Sequence, residues 1–245
     1  MKWILTLLVL FTFPMMNVAQ TDFLKEQKKF ARFRTAVSEK QQLLENKLSE
    51  HQISMNNINL LLVAYKEEDL LEVYCKTKLE TNYRELFSYS ICSRSGQPGP
   101  KRKQGDAQVP EGFYYIDRFN PNSNFYLSLG LNYPNLSDRR KSPYSNLGGD
   151  IFIHGSCVTI GCLPMTDNFI KEIYFLAVNA KSNGQTHIPV YIFPFKMTPE
   201  NMVKYKKEYK ALGPFWENLK KGYDQFFESK KELKVRVAAN GDYLY

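Results

Sequence analysis

The stretch Ile151-Phe-Ile-His-Gly-Ser-Cys-Val-Thr-Ile-Gly-Cys-Leu-Pro-Met-Thr-Asp167 constrains the fold more than any other part of the chain. Ile151–Ile153 is an apolar, strand-like lead. It runs into a histidine, two cysteines and two glycines between His154 and Cys162. A segment with helical periodicity follows Asp167, with Ile170, Ile173, Tyr174, Ala177 and Val178 on one face. A strand, a tight loop and a helix must therefore succeed one another, with reactive side chains at the loop. That pattern fits a cysteine nucleophile with a histidine base. It also fits a disulfide or a metal site.

The surroundings narrow the choice. Lys2 precedes the apolar run Trp3–Phe13, and Pro14 and small residues lead to Ala19. This reads as a cleaved export signal over residues 1–19. The run is shorter than the ~20 apolar residues a membrane span needs. The sequence carries 33 Lys and Arg against 25 Asp and Glu, a net +8, which becomes +7 once Lys2 is removed. Export and the lack of finger-like or RNP-like motifs argue against nucleic acid. A basic exported protein suits an anionic extracytoplasmic polymer such as cell wall, or simply has a solvated basic surface. Cys157 and Cys162 are spaced C-x4-C with no second pair at zinc-ribbon spacing, so metal binding is weakly supported. Cys75 and Cys92 approach each other if their strands pair around Tyr83, as a disulfide or as two buried thiols.

Residues 20–55 form an N-terminal helical segment, with Phe23, Phe30, Phe33, Val37, Leu44 and Leu48 at helical spacing. Ile58–Tyr65 and Leu70–Lys76 read as a hairpin, and Glu85–Cys92 as a third strand. Ser95–Asp106 is a loop by composition and carries Lys101-Arg-Lys103. Strands follow near 112–117 and 125–131, and a long loop is expected over 132–149. Thr166 or Asp167 is a candidate cap for the helix that follows. His187–Phe193 is a further strand. Thr198-Pro199 opens a helix, Gly213-Pro214 breaks it, and a last helix reaches about Glu232. Val235 and Val237 suggest a short final strand.

At the central motif, His154 closes a strand and Cys162 precedes a helix. A nearby helix N-terminus would favour a thiolate. Gly161 allows a tight turn, and amides near Gly161 and Cys162 are candidates for an oxyanion hole. Cys157 is read as a packing residue or redox partner.

His154-Gly155 followed by Thr159-Ile-Gly161-Cys162 resembles the signature of the L,D-transpeptidase (YkuD-type) catalytic domain, and is most similar to its YafK-type subgroup. Gly99-Pro-Lys101, Gly105-Asp106, Pro110-Glu-Gly-Phe-Tyr114, Tyr133-Pro-Asn135, Met165-Thr-Asp167 and Glu172-Ile-Tyr174 extend the resemblance in order and spacing. It covers about residues 56–200. The family implies an α+β, mainly β fold: a YkuD-like sandwich or barrel with an inserted helix and flanking helices. The domain would span 56–196, with a C-terminal helical extension over 197–245. The resemblance makes Cys162 the nucleophile, His154 the general base and later acid, and Gly155 the residue whose backbone orients the imidazole. Gly161 becomes an oxyanion donor and Thr159 a supporting hydroxyl. No cofactor or metal is implied. Leu163 departs from the arginine common after the cysteine, and Val109 from a commoner threonine. Carboxylate recognition then falls to other residues, with Lys101, Tyr133 and Asn135 as candidates.

The implied activity is peptidoglycan L,D-transpeptidation on stem peptides through a thioester, in the periplasm or cell envelope. It would serve cell-wall biogenesis and cell shape. Two alternatives stand beside it. One is a hydrolase at the same site, an L,D-carboxypeptidase or an amidase releasing a wall-attached protein. The other is a wall-binding protein with an inactive site.

Overall fold

The structure, a computed structural model, describes residues 18–245, with side chains from residue 23 onward. The expected signal over 1–19 lies outside the described residues except at its very end. Two helices open the described chain, α1 (Val18–Lys28) and α2 (Ala31–Glu50). The strand β1 (Ile58–Tyr65) then pairs antiparallel with β2 (Leu70–Thr77), and β2 with β3 (Arg84–Ser90). The long strand β4 (Gly112–Ser123) is followed by β5 (Tyr126–Leu131) and a short helix α3 (Leu136–Lys141). The strands β6 (Phe152–His154) and β7 (Leu163–Pro164) lead into α4 (Thr166–Ser182), and β8 (Pro189–Phe193) follows. The chain ends with α5 (Pro199–Glu208), α6 (Gly213–Ser229) and the small pair β9 (Arg236–Val237) and β10 (Tyr243–Leu244).

Eight strands form one mixed sheet in the order β3-β2-β1-β8-β4-β5-β6-β7. The first part of β4, Gly112–Tyr115, pairs with β8, and its second part, from Ile116, pairs with β5 through two register shifts. Bulges of this kind increase local twist. The sheet therefore turns along β4 and curls into a half-barrel, the α+β architecture expected.

The centre of the sheet is covered on both faces, which is why β1 reads as an almost unbroken apolar run. Leu60, Leu62, Ala64, Val190 and Ile192 face a core with α4, behind which α2 adds Phe33, Leu44 and Leu48 and α1 packs Phe23 and Leu24. Leu61, Val63, Tyr65, Tyr191 and Phe193 face a second core completed by Trp216, Leu219 and Phe226 of α6. Each such buried side chain stabilises the fold by about 1.5–3 kcal/mol. Polar bonds fix the N-terminal helices to α4: Lys40 Nζ reaches Glu172 Oε1 at 2.7 Å, and Tyr174 OH donates to Gln27 Oε1 at 2.7 Å.

Three local expectations are corrected or narrowed. The segment 132–149 is not all loop, because Asn135 and Asp138 make a reciprocal capping box that starts α3. Of the two candidate caps of α4, Thr166 caps its first turn, its Oγ1 accepting from the Phe169 amide at 3.4 Å just after Met165 in the N-cap position, whereas Asp167 does not cap and instead accepts from the Ser156 amide at 2.8 Å. Cys75 and Cys92 do not meet. Cys75 lies opposite Arg84, whereas Cys92 follows Ser90, which pairs with Leu70 at the other end of the ladder.

Candidate active site

The strands β6 and β7 run parallel, with Ile153 opposite Leu163 and His154 opposite Pro164. Ile153 and Leu163 both point into the core. Strand alternation therefore turns His154 and Cys162 toward the opposite face. One step before Leu163, Cys162 is level with Phe152, whose amide donates to Cys162 Sγ at 3.4 Å. The thiol is half-buried and reaches the Asp150 carbonyl at 3.6 Å. Histidine and thiol thus stand two residues apart along neighbouring strands.

The imidazole of His154 is buried, and its Nδ1 lies 2.5 Å from the Gly155 carbonyl. A carbonyl only accepts, so Nδ1 carries the proton and Nε2 keeps its lone pair. Gly155 can be only glycine here: a Cβ would lie 2.6 Å from Asp167 Oδ1 and 2.7 Å from the Phe125 carbonyl. Burial lowers the His154 pKa, opposed by the bond to Gly155. Burial raises the Cys162 pKa, the Phe152 amide opposes this, and more distant charges act in opposite senses, Asp150 upward and Lys101 downward. Both shifts favour the neutral forms, imidazole and thiol. The helix N-terminus expected to favour a thiolate is set apart from the thiol, because β7 and Met165 separate Cys162 from the first turn of α4.

Thr159 organises the loop between them. Its Oγ1 accepts from the Cys162 amide at 2.8 Å and from the Gly161 amide at 3.3 Å, and donates to the Cys162 carbonyl at 2.9 Å. The two amides expected to face an oxyanion are therefore held by a side chain of the same turn. Gly161 has φ +122°, a conformation glycine adopts freely. A disulfide between Cys92 and Cys157 ties this loop to the end of β3, with Cα atoms 5.6 Å apart. Among the described residues, no group of three or more His, Cys, Asp or Glu is placed to hold a metal ion.

The model of the L,D-transpeptidase catalytic domain, YkuD, matches residues 59–192. The chain belongs to the L,D-transpeptidase family. It is 41% identical over 182 residues to YafK of Escherichia coli strain K12, which bears the L,D-transpeptidase name provisionally; the match covers 74% of this chain and 71% of that one. Among solved structures it is similar to the helical cell shape determining protein Pgp2 of Campylobacter jejuni, at 22% identity and TM-score 0.44. That match takes in 60% of this chain and about half, 52%, of the other. A second solved relative is Bd1075 of Bdellovibrio bacteriovorus, at 21% identity and TM-score 0.40 over 69% of this chain and 58% of that one.

Within this L,D-transpeptidase domain, the three residues expected to meet substrate are engaged internally. Lys101 is buried, with Nζ on Asp106 Oδ1 at 2.6 Å and on the Lys103 carbonyl at 2.9 Å. Tyr133 is buried, and its OH donates to the Leu147 carbonyl at 3.2 Å. Asn135 caps α3 and donates from Nδ2 to the Phe113 carbonyl and to Tyr243 OH. Each side chain completes a turn of the framework. The core also holds Leu163 and Val109, the two departures from the family pattern. Sequence reasoning missed the Cys92–Cys157 bond, Phe125 and the Arg118–Asp150 pair. They come from distant segments, and only the fold brings them to this corner.

Proposed function

We propose that this protein is an exported, cysteine-dependent acyltransferase acting on peptidoglycan stem peptides. The observation that carries the reading is the His154 tautomer on the same sheet face as Cys162: Nδ1 is held by the Gly155 carbonyl, which leaves Nε2 free to act as a base toward the thiol two residues away on the neighbouring strand. In this reading Nε2 takes the Cys162 proton as sulfur attacks a stem-peptide carbonyl. The imidazolium then protonates the departing amine, and a thioester remains. An incoming amine or water repeats the sequence in reverse and restores the thiol. The Gly161 and Cys162 amides stabilise the tetrahedral oxygen when it displaces Thr159 Oγ1 from them. An oxidising compartment, which the Cys92–Cys157 bond suits, agrees with export. The amine that completes transfer belongs to a second stem peptide or to a wall-attached protein.

Hydrolysis at the same thioester is the second reading, and one observation favours it. The cavity lined by Cys162, Lys66, Val109 and Ser95 has a volume of about 20 Å3. That is the space of a single water. Ser95 Oγ is buried there without a hydrogen-bond partner.

Mass spectrometry of products from purified muropeptides, with and without an amine acceptor, separates the two. Cross-linked dimers support transfer, and trimmed monomers alone support hydrolysis. Cys162→Ala should abolish the acyl-enzyme. His154→Ala should slow acylation by about 10²- to 10⁴-fold. Turnover by Cys162→Ala would overturn the assignment.

A further inference from the structure

The turn between β4 and β5 reaches the catalytic corner, and something outside the family domain holds it there. Phe125, at the tip, lies against the His154 imidazole with ring centroids 4.6 Å apart and planes inclined by 35°. It remains 40% exposed, so it covers the imidazole without belonging to the core. The turn is not relaxed: Tyr126 has φ +69°. A non-glycine residue keeps such a conformation when its neighbours over-determine it. The neighbours are on α2. Arg32 Nη1 donates to the Ser123 carbonyl at 2.5 Å and to the Tyr126 carbonyl at 2.7 Å, one on each side of Phe125. The guanidinium also lies 5.5 Å from the centre of the Tyr126 ring, and Lys171 of α4 lies 5.4 Å from the same ring.

We propose that Phe125 is a positioning residue for His154, and that the N-terminal helices set it in place through Arg32. This rests on His154 being the base of the proposed reaction and gives the N-terminal segment a part in it. Phe125 fixes the ring plane and keeps water from one side of the imidazole. The lowered pKa of His154, whose first cause is burial, agrees with such a cover. The other charged and titratable groups at this corner are already engaged or held apart. Asp167 of α4 holds the Ser156 amide, and Lys171 of α4 is paired with Glu39 of α2 at 2.6 Å. Arg118 of β4 is paired with Asp150 at 2.8 Å, and the Cys162 thiol bonds to backbone. Among the described residues, none of them makes a hydrogen bond to the imidazole.

The sign follows from the base role. A neutral imidazole is the active form, so activity rises with pH through the His154 pKa. Uncovering the ring raises that pKa toward 6.5 and moves the acid limb to higher pH. The chain has three histidines, His51, His154 and His187, so their ring protons can be followed one by one by NMR titration. A His154→Gln variant assigns the signal. Phe125→Leu and Arg32→Ala should each raise the His154 midpoint. They should also lower activity several-fold, most steeply on the acid side, where the raised midpoint adds to the loss of positioning. Phe125→Tyr, which keeps the ring, should restore both. An unmoved midpoint in either Phe125→Leu or Arg32→Ala overturns the proposal, as does a Phe125→Tyr protein that behaves like Phe125→Leu. The NMR midpoint is read without any substrate, so its outcome is independent of whether stem peptides are turned over.

Discussion

Thr159 shows how much of the site one hydroxyl can organise. A single Oγ1 serves two amides and a carbonyl of the turn that carries the thiol. Thr159→Val keeps the shape and removes all three bonds. It should destabilise the protein by about 1–3 kcal/mol, the cost of leaving partly buried backbone groups unpaired. Thr159→Ser should retain the bonds and the stability. Urea unfolding of the two variants checks this, and equal midpoints would show that the hydroxyl holds nothing. At this scale, contiguity decided what the sequence could reveal. His154, Gly155, Thr159, Gly161 and Cys162 lie within nine residues, so any fold keeps them near one another. The protonation state was not legible. It depends on burial by residues far along the chain, and burial raises the Cys162 pKa where a helix-end argument pointed toward the thiolate.

At the scale of elements, the loop from His154 to Cys162 is held at both ends and in the middle. His154 and Cys162 anchor it to paired strands, and Cys157 anchors its middle to Cys92, 65 residues earlier. Closing a loop of that length restricts the unfolded chain by about 4 kcal/mol in the chain-entropy account. Replacing both cysteines by serine should lower stability by up to that amount. Adding a reductant should lower the wild-type unfolding midpoint and leave the double variant unmoved. The hairpin of β1 and β2 was legible in the sequence, since two apolar runs flank a polar turn at Lys66–Asp69. The disulfide was not, because Cys92 sits just past β3 and its partner sits in a loop whose path depends on the whole sheet. The capping box of α3 escaped notice for a different reason: Asn135 and Asp138 do not match the commoner Ser/Thr-x-x-Glu pattern.

Across the whole molecule, the two cores meet at a buried polar knot. Lys66 Nζ, after β1, bonds Glu111 Oε1 at 3.0 Å and the carbonyls of Gly99 and Val109. Glu111 Oε2 accepts from Trp216 Nε1 of α6 at 2.9 Å. The sheet, the loop before β4 and the C-terminal helix are therefore joined at one carboxylate. Glu111→Ala leaves a buried ammonium without its counter-charge and should cost about 3–5 kcal/mol. Thermal unfolding measures it, and a loss below about 1 kcal/mol would mean the knot is dispensable. That a last helix follows Gly213-Pro214 was legible in the sequence; that it would share a carboxylate with a loop a hundred residues earlier was not, since a lone glutamate bears no mark of its partners. The cysteines carry a different consequence. Two are bonded to each other, and Cys75 is fully buried with its pKa pushed up to about 12. Only Cys162 is open to a reagent. An electrophile such as iodoacetamide should therefore modify the oxidised native protein once per chain, at that sulfur. A simple colorimetric thiol assay would then count molecules whose Cys162 is free in a preparation before any substrate has been made.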